Sequence, residues 1–232
     1  MITFLHDGAP FPPVEHALRT PNGLLAAGGE LTPARLLDAY RHGIFPWFNE
    51  DDPILWWSPD PRMVLFPAEF KIARSLRKTL RNKTYEVRTD TAFERVMHAC
   101  AAPRNGQGTW IHDKMVAAYS ELHRVGVAHS VECWLAGELV GGLYGIAIGR
   151  MFYGESMFSR RSNASKVALA HLAAQLSRWN FGMIDCQMNT PHLASLGARE
   201  IPRAEFIQRL QELIHYPDIT SPWRFDEYES VA

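Results

Sequence analysis

From residue 129 to residue 158 the chain reads with period two, interrupted at Ala136-Gly137 and at Gly149-Arg150. That period sends successive side chains to opposite faces of a sheet, and the interrupting pairs are turn formers. Residues 129–135, 138–148 and 151–158 are therefore expected to be three consecutive strands of an antiparallel meander. Downstream, Asn163 or Ser162 can cap a helix from Ala164 to Trp179. A short strand from Met183 to Gln187 follows. Then come a helical turn opened by Thr190-Pro191, another short strand, and a last helix from about Arg203 to Ile214. The tail beyond it reads as loose.

Meander, helix, strand, helix, strand is an α+β order, and it resembles the acetyltransferase-type (GNAT-like) fold. Upstream, EFKIARSLRKTLRNK reads as a helix with Ile72, Ala73, Leu76 and Leu80 on one arc. Lys71, Arg74, Arg77, Lys78 and Arg81 share the opposite arc. A strand at Tyr85–Val87 and a helix starting near Asp90 or Thr91 come next. The loop RNGQGTW then leads to a helix over 113–124, which Gly126 ends. The first sixty residues differ in kind: Pro, Gly and Trp abound, and loops and turns are expected to dominate. Their one clear helix is capped by Thr32, has Pro33 in its first position and closes at Gly43. Residues 1–62 are read as a small N-terminal α/β domain and residues 63–232 as the larger one, with the boundary near Ser58-Pro59-Asp60-Pro61-Arg62.

Of the 232 residues 47% are hydrophobic, enough for a real core. Three cysteines, Cys100, Cys133 and Cys186, form no paired framework, which argues for a reducing compartment. The ten histidines show no metal-ligand spacing, so no metal is expected. With no leader pattern and no long apolar run, a cytoplasmic chain is expected. A net charge of −1 confines any nucleic-acid contact to one local patch.

Four features stand out. Asp185 and Gln187 lie in the apolar strand Met183–Gln187, where alternation puts them on one face and Cys186 on the other. A carboxylate there is costly to bury without a partner; the plain reading is a structural Asp satisfied by loop amides. Cys186 reads as packing, not as a nucleophile. Glu155 interrupts the apolar run Phe152-Tyr-Gly-Glu-Ser-Met-Phe158, either as a solvent-facing acid or as a site residue, and Gly154 beside it lets a ligand or a backbone come close. Trp47, Trp56, Trp57 and Trp110 lie in loops, as interdomain plugs or as stacking platforms for a nucleobase. The cationic arc has no interleaved acid, which favours phosphate binding over a merely solvated face.

The strings PNGLLAAGGELTPARLL, AYRHGIFPWF, DPILWWSPDPR, GTWI, AHSVE, ELVGGLYG, GESMFSR, NASK, IDCQ and HLASLGAREIPR span residue 21 to about residue 203. Together they resemble the leucyl/phenylalanyl-tRNA–protein transferase family of bacteria. The resemblance implies an aminoacyltransferase that moves Leu, Phe or Met from aminoacyl-tRNA onto proteins beginning with Lys or Arg, marking them for degradation. It implies Asp185 and Gln187 of IDCQ as the catalytic pair and Glu155 as the acid that receives the amine. Trp47, Trp110 and Tyr119 match aromatics around the aminoacyl-adenosine end. Gly154, Met157, Leu169, Leu172, Leu176 and Ile184 match the apolar side-chain pocket. Arg74, Arg77, Lys78 and Arg81 match the patch for the tRNA acceptor stem. The stretch after the catalytic strand, Gln187-Met-Asn-Thr-Pro, and the weakly aromatic helix carrying Leu169, Leu172 and Leu176 depart from the family's pattern.

The chemistry implied needs no cofactor, because the ester linking amino acid to tRNA is already activated. An α-amine with a pKa of about 8 is partly neutral near pH 7, so positioning can supply much of the rate. Asp185 is expected to attract and orient that amine, and Gln187 to hold the carbonyl or relay a hydrogen bond. A CoA-dependent acetyltransferase is the first rival, but SRRSNASK lacks the glycines that hold a pyrophosphate. A non-enzymatic RNA-binding module is the second; it leaves the acid of IDCQ unexplained. No membrane partner is expected, and nothing demands more than a monomer.

Overall fold

The meander forms the middle of a seven-stranded sheet. The structure is a computed structural model that describes residues 2–102 and 109–226; the first part of the RNGQGTW loop lies outside them. In chain order the elements are β1 (Thr3–Leu5), β2 (Leu24–Gly28), α1 (Pro33–Arg41), β3 (Phe45–Pro46), β4 (Leu55–Trp57), β5 (Arg62–Leu65), α2 (Arg74–Arg81), β6 (Glu86–Thr89), α3 (Phe93–Ala101) and α4 (Asp113–Arg124). They continue with β7 (Ala128–Leu135), β8 (Glu138–Ile148), β9 (Met151–Ser159), α5 (Ala164–Arg178), β10 (Met183–Gln187), α6 (Pro191–Ser195), β11 (Arg199–Ile201) and α7 (Arg203–Leu213). The large sheet has the order β11-β5-β10-β9-β8-β7-β6, and a small one has the order β1-β2-β4-β3.

The large sheet is antiparallel except where β10 runs parallel beside β9, as a crossover through α5 requires. Both its faces are covered. One packs on α5 through Val131, Leu143, Phe152 and Ile184. The other packs on α3, α4 and the N-terminal segment through Tyr144, Ile146 and Tyr153. Full cover on both sides explains why β7 and β8 are buried along nearly their whole lengths.

Several expectations need correction. The N-terminal segment contains four strands besides its helix, each five residues or shorter. Helix α2 starts only at Arg74, so Lys71 and Ile72 precede it and Ala73 is its N-cap. Helix α3 begins at Phe93, because Asp90 adopts a left-handed backbone (φ 55°) and its carboxylate binds the Ser130 N–H at 2.9 Å instead of capping. Asn163 precedes α5 but makes no capping bond; it too is left-handed, and its amide reaches Thr79 Oγ at 3.1 Å. The tail is tied down as far as the described residues go: Trp223 is 1% exposed and stacks on His129 at 3.8 Å.

Candidate active site

Strands β9 and β10 pair only from Met183↔Met151 to Asp185↔Tyr153. Beyond that point β9 runs on to Ser159 without β10 beside it. The carboxyl ends of the two parallel strands thus diverge, and divergent ends of neighbouring parallel strands leave a crevice for ligands. A cavity of about 640 Å³ opens there, lined by Gly154, Glu155, Met157, Ile184, Gln187 and, from α5, Leu169 and Leu172. Its floor is apolar, and its polar wall carries Glu155, Gln187, Thr190 and His192.

Gln187 owes its position to a break in β10. The pairing of β10 with β5 slips between Asp185 and Gln187, and Gln187 takes a left-handed backbone (φ 56°). That conformation costs a non-glycine residue about 1–2 kcal/mol. It is held by the Gln187 N–H, which donates to Asp185 Oδ1 at 2.9 Å. The side-chain Nε2 of Gln187 is buried and has no hydrogen-bond partner among the described residues. A buried amide left unpaired is costly in a folded protein, and this one borders the cavity.

Asp185 itself is wholly buried and faces away from the cavity. Arg62, equally buried, donates to both its oxygens, Nε to Oδ1 at 2.8 Å and Nη2 to Oδ2 at 2.6 Å. Arg62 Nη1 donates to Gly43 O at 3.0 Å, and the guanidinium packs on Phe45 and Phe206. The ion pair is therefore hydrogen-bonded throughout, as a buried one must be. This corrects the expected faces of β10: Asp185 points away from the cavity, its oxygens bonded to Arg62 and to the Gln187 N–H. Cys186 does not face away, because it lines the cavity; burial and the charge of Asp185 push its thiol pKa up, so it remains packing.

Glu155 lies half-buried on the same polar wall as Gln187. Tyr40 Oη of α1 donates to its Oε1 at 2.7 Å, and Tyr119 Oη of α4 donates to its Oε2 at 3.1 Å. Burial lifts its pKa to about 7 against the opposing pull of the two tyrosines. Tyr119 thus stands behind Glu155, not on the cavity surface. Leu176 is likewise absent from the lining and wholly buried in the core under α5. Trp47 is 40% exposed and lies edge-on to Trp57; Trp110 is half-buried. Neither lines the cavity. The Phe48–His112 ring contact at 5.0 Å brings their two segments together. Arg74, Arg77, Lys78 and Arg81 are exposed on α2, away from the cavity lining.

Sequence reasoning missed Arg62 and Tyr40. Arg62 had a signal: like Asp185, it is an ion embedded in an apolar strand, and two such ions are natural partners. Tyr40 had none, since its spacing on α1 fits ordinary packing.

A mixed α/β chain with an apolar pocket, an unpaired amide and an elevated carboxylic acid has the features of an enzyme that grips an apolar side chain beside a polar reacting group. Residues 64–211 match the family described as leucyl/phenylalanyl-tRNA protein transferase, and residues 29–60 match that family's N-terminal domain. The leucyl/phenylalanyl-tRNA–protein transferase of Nitrosomonas europaea is 64% identical over 227 residues, 97% of this chain and 96% of that one. That of Thiobacillus denitrificans is 67% identical over 217 residues, 93% of this chain and 95% of that one. The chain belongs to the leucyl/phenylalanyl-tRNA–protein transferase family. Likeness to solved structures is slight: L-PGS from Bacillus licheniformis is 9% identical, covers 56% of this chain and 46% of that chain, and has a TM-score of 0.38. No helix among the described residues is long and apolar enough to cross a membrane, and no group of three or more His, Cys, Asp or Glu among them could hold a metal.

Proposed function

We propose that this chain transfers Leu, Phe or Met from aminoacyl-tRNA to the N-terminal Lys or Arg of acceptor proteins, so marking them for degradation, as its family membership implies. The observation that carries the mechanism is the unpaired Gln187 amide on the wall of an apolar cavity. The donor's side chain occupies the floor of Gly154, Met157, Leu169, Leu172 and Ile184, which places its ester carbonyl toward Gln187. The acceptor amine attacks that carbonyl. A C–N bond forms, the ester C–O bond breaks, and the amine's proton ends on the ribose oxygen that leaves. Gln187 Nε2–H donates to the carbonyl oxygen as negative charge develops there. Asp185 acts through Gln187: pinned by Arg62, it fixes the strained turn that aims the amide. Glu155 holds the amine, and its carboxylate favours a cationic Lys or Arg terminus. Trp47, Trp110 and Tyr119 belong to the aminoacyl-adenosine side, and Arg74, Arg77, Lys78 and Arg81 to the acceptor stem. The larger domain is inferred to be GNAT-like, a reading supported by the β7–β9 meander, the α5 crossover and the diverging β9–β10 pair.

Charged tRNA and an Arg-starting peptide test the reading. Transfer is expected, and Gln187→Ala should lower kcat by roughly 100-fold with donor binding retained. An inactive wild-type protein refutes the function. A fully active Gln187→Ala removes Gln187 from the mechanism.

A further inference from the structure

Outside the cavity, three arginines border a second, polar depression of about 460 Å³: Arg95 of α3, and Arg160 and Arg161 in the turn between β9 and α5. Glu138 is the one acid on its lining. All three arginines are exposed, and none has an ion-pair partner among the described residues. Charges of one sign gathered without counter-ions repel one another, so the cluster is costly unless an anion meets it.

The cluster is also ordered in a way that spares its donors. The Arg95 guanidinium sits over the Trp134 ring at 4.9 Å, and that of Arg160 over the Phe158 ring at 5.4 Å. Stacking orients a planar guanidinium without consuming its N–H groups. Among the described residues the Arg160 side chain uses only Nη1, in a long 3.3 Å bond to Leu139 O. The turn itself is pinned: the Arg160 N–H donates to Val140 O at 2.7 Å, and Ser159 Oγ donates to Arg161 O at 2.8 Å.

Position relates this cluster to the two sites already described. Ser159, which lines the cavity, is the residue before Arg160. On the other side the same turn touches α2 and the start of β6, through Asn163 to Thr79 at 3.1 Å and Tyr85 Oη to Ser162 O at 2.8 Å. The turn that carries Arg160 and Arg161 therefore adjoins both the cavity and the cationic helix, and Arg95 borders the same depression as that turn. We propose that Arg95, Arg160 and Arg161 form a second phosphate-binding site, which grips the single-stranded backbone of the tRNA where it leaves the cavity for the α2 face. The inference rests on the proposed function, and it assigns these phosphates to residues distinct from those of α2.

Binding of Leu-tRNA as a function of salt tests it, with the double variant Arg95→Gln/Arg161→Gln, whose side chains are exposed and whose fold is checked by its melting temperature. Each lost contact to a single-stranded phosphate should flatten the slope of log K against log salt by about 0.7, so by about 1.4 for the pair. Affinity at low salt should fall on the order of tenfold, and Arg95→Lys/Arg161→Lys should restore most of it. Transfer from 3′-O-leucyl-adenosine, which lacks these phosphates, separates the two readings. Wild-type transfer from that donor upholds the function independently of the arginines, and its failure there and on Leu-tRNA overturns both. Wild-type affinity and slope in the double variant overturn the phosphate site alone. So does a raised KM for the acceptor peptide with tRNA binding unchanged, because the cluster would then serve the acceptor.

Discussion

Glu155 sits between two tyrosines and near a buried ion pair, and its neighbours pull its proton in different directions. Burial favours the neutral acid, the Tyr40 and Tyr119 hydroxyls favour the anion, Asp185 opposes it and Arg62 supports it. The outcome is a pKa raised from 4.5 to about 7. An acid whose folded pKa is raised binds more protons when folded than when unfolded. Its contribution to stability is therefore whole below about pH 4.5 and is lost as pH rises through about 7. Gln at this position keeps the shape and never ionises. Glu155→Gln should accordingly gain stability relative to the wild type between pH 4.5 and 7, by roughly 1–3 kcal/mol, while transfer to Arg-starting acceptors slows. Denaturant unfolding at pH 4, 5.5 and 7.5 measures this, and parallel stability curves for the two proteins would show that Glu155 titrates alike in the folded and the unfolded chain.

At the scale of elements, the site is a consequence of where β9 and β10 part. Gly154 lies on β9 just past the last paired residue, Tyr153. A Cβ there would find Asp185 O at 3.5 Å and Ile184 Cγ2 at 3.8 Å, ordinary contact distances. Ala also loses less entropy than Gly in a strand. Gly154→Ala should therefore fold with an unchanged or slightly higher melting temperature, yet slow transfer by narrowing the cavity at the donor's position. Full activity in that variant would move the donor elsewhere. The meander, α5, β10 and α7 were legible because each holds its period for several residues. β1 to β4 were not: a strand of two to five residues shows too little period to read beside so many Pro and Gly. Within the site, Gly154, Met157, Leu169, Leu172 and Ile184, which the resemblance implies as a side-chain pocket, line one cavity. Asp185 and Cys186 were assigned to each other's faces, because period-two reasoning set Asp185 beside Gln187 on the cavity face. The left-handed turn at Gln187 carries that side chain to the cavity instead, and a single backbone torsion leaves no mark in the pattern of hydrophobicity.

Across the whole molecule, the C-terminal segment is where local reading and tertiary structure part most sharply. Residues 215–226 carry no helix or strand, and by composition they read as a loose tail. Yet the Trp223 N–H donates to Asp90 Oδ2 at 2.8 Å, and its ring lies 7° from parallel to that of His129. His129 Nδ1 meets the same Asp90 oxygen at 2.8 Å, while Asp90 Oδ1 accepts the Ser130 N–H. One buried carboxylate thus joins the start of β7, the turn before α3 and the tail. Phe152, Trp179 and Phe225 add aromatic contacts around the indole. Removing a buried Trp typically costs about 3–5 kcal/mol. In a chain of this size each kcal/mol moves the melting temperature by about 2–4 °C. Trp223→Ala should thus lower it by roughly 10 °C. Trp223→Phe should recover part of the loss, because a ring still stacks on His129 and the backbone N–H still reaches Asp90. A melting temperature for Trp223→Ala within a degree or two of the wild type would mean that the tail is as loose as its composition suggests, and that α3 and β7 hold together without it.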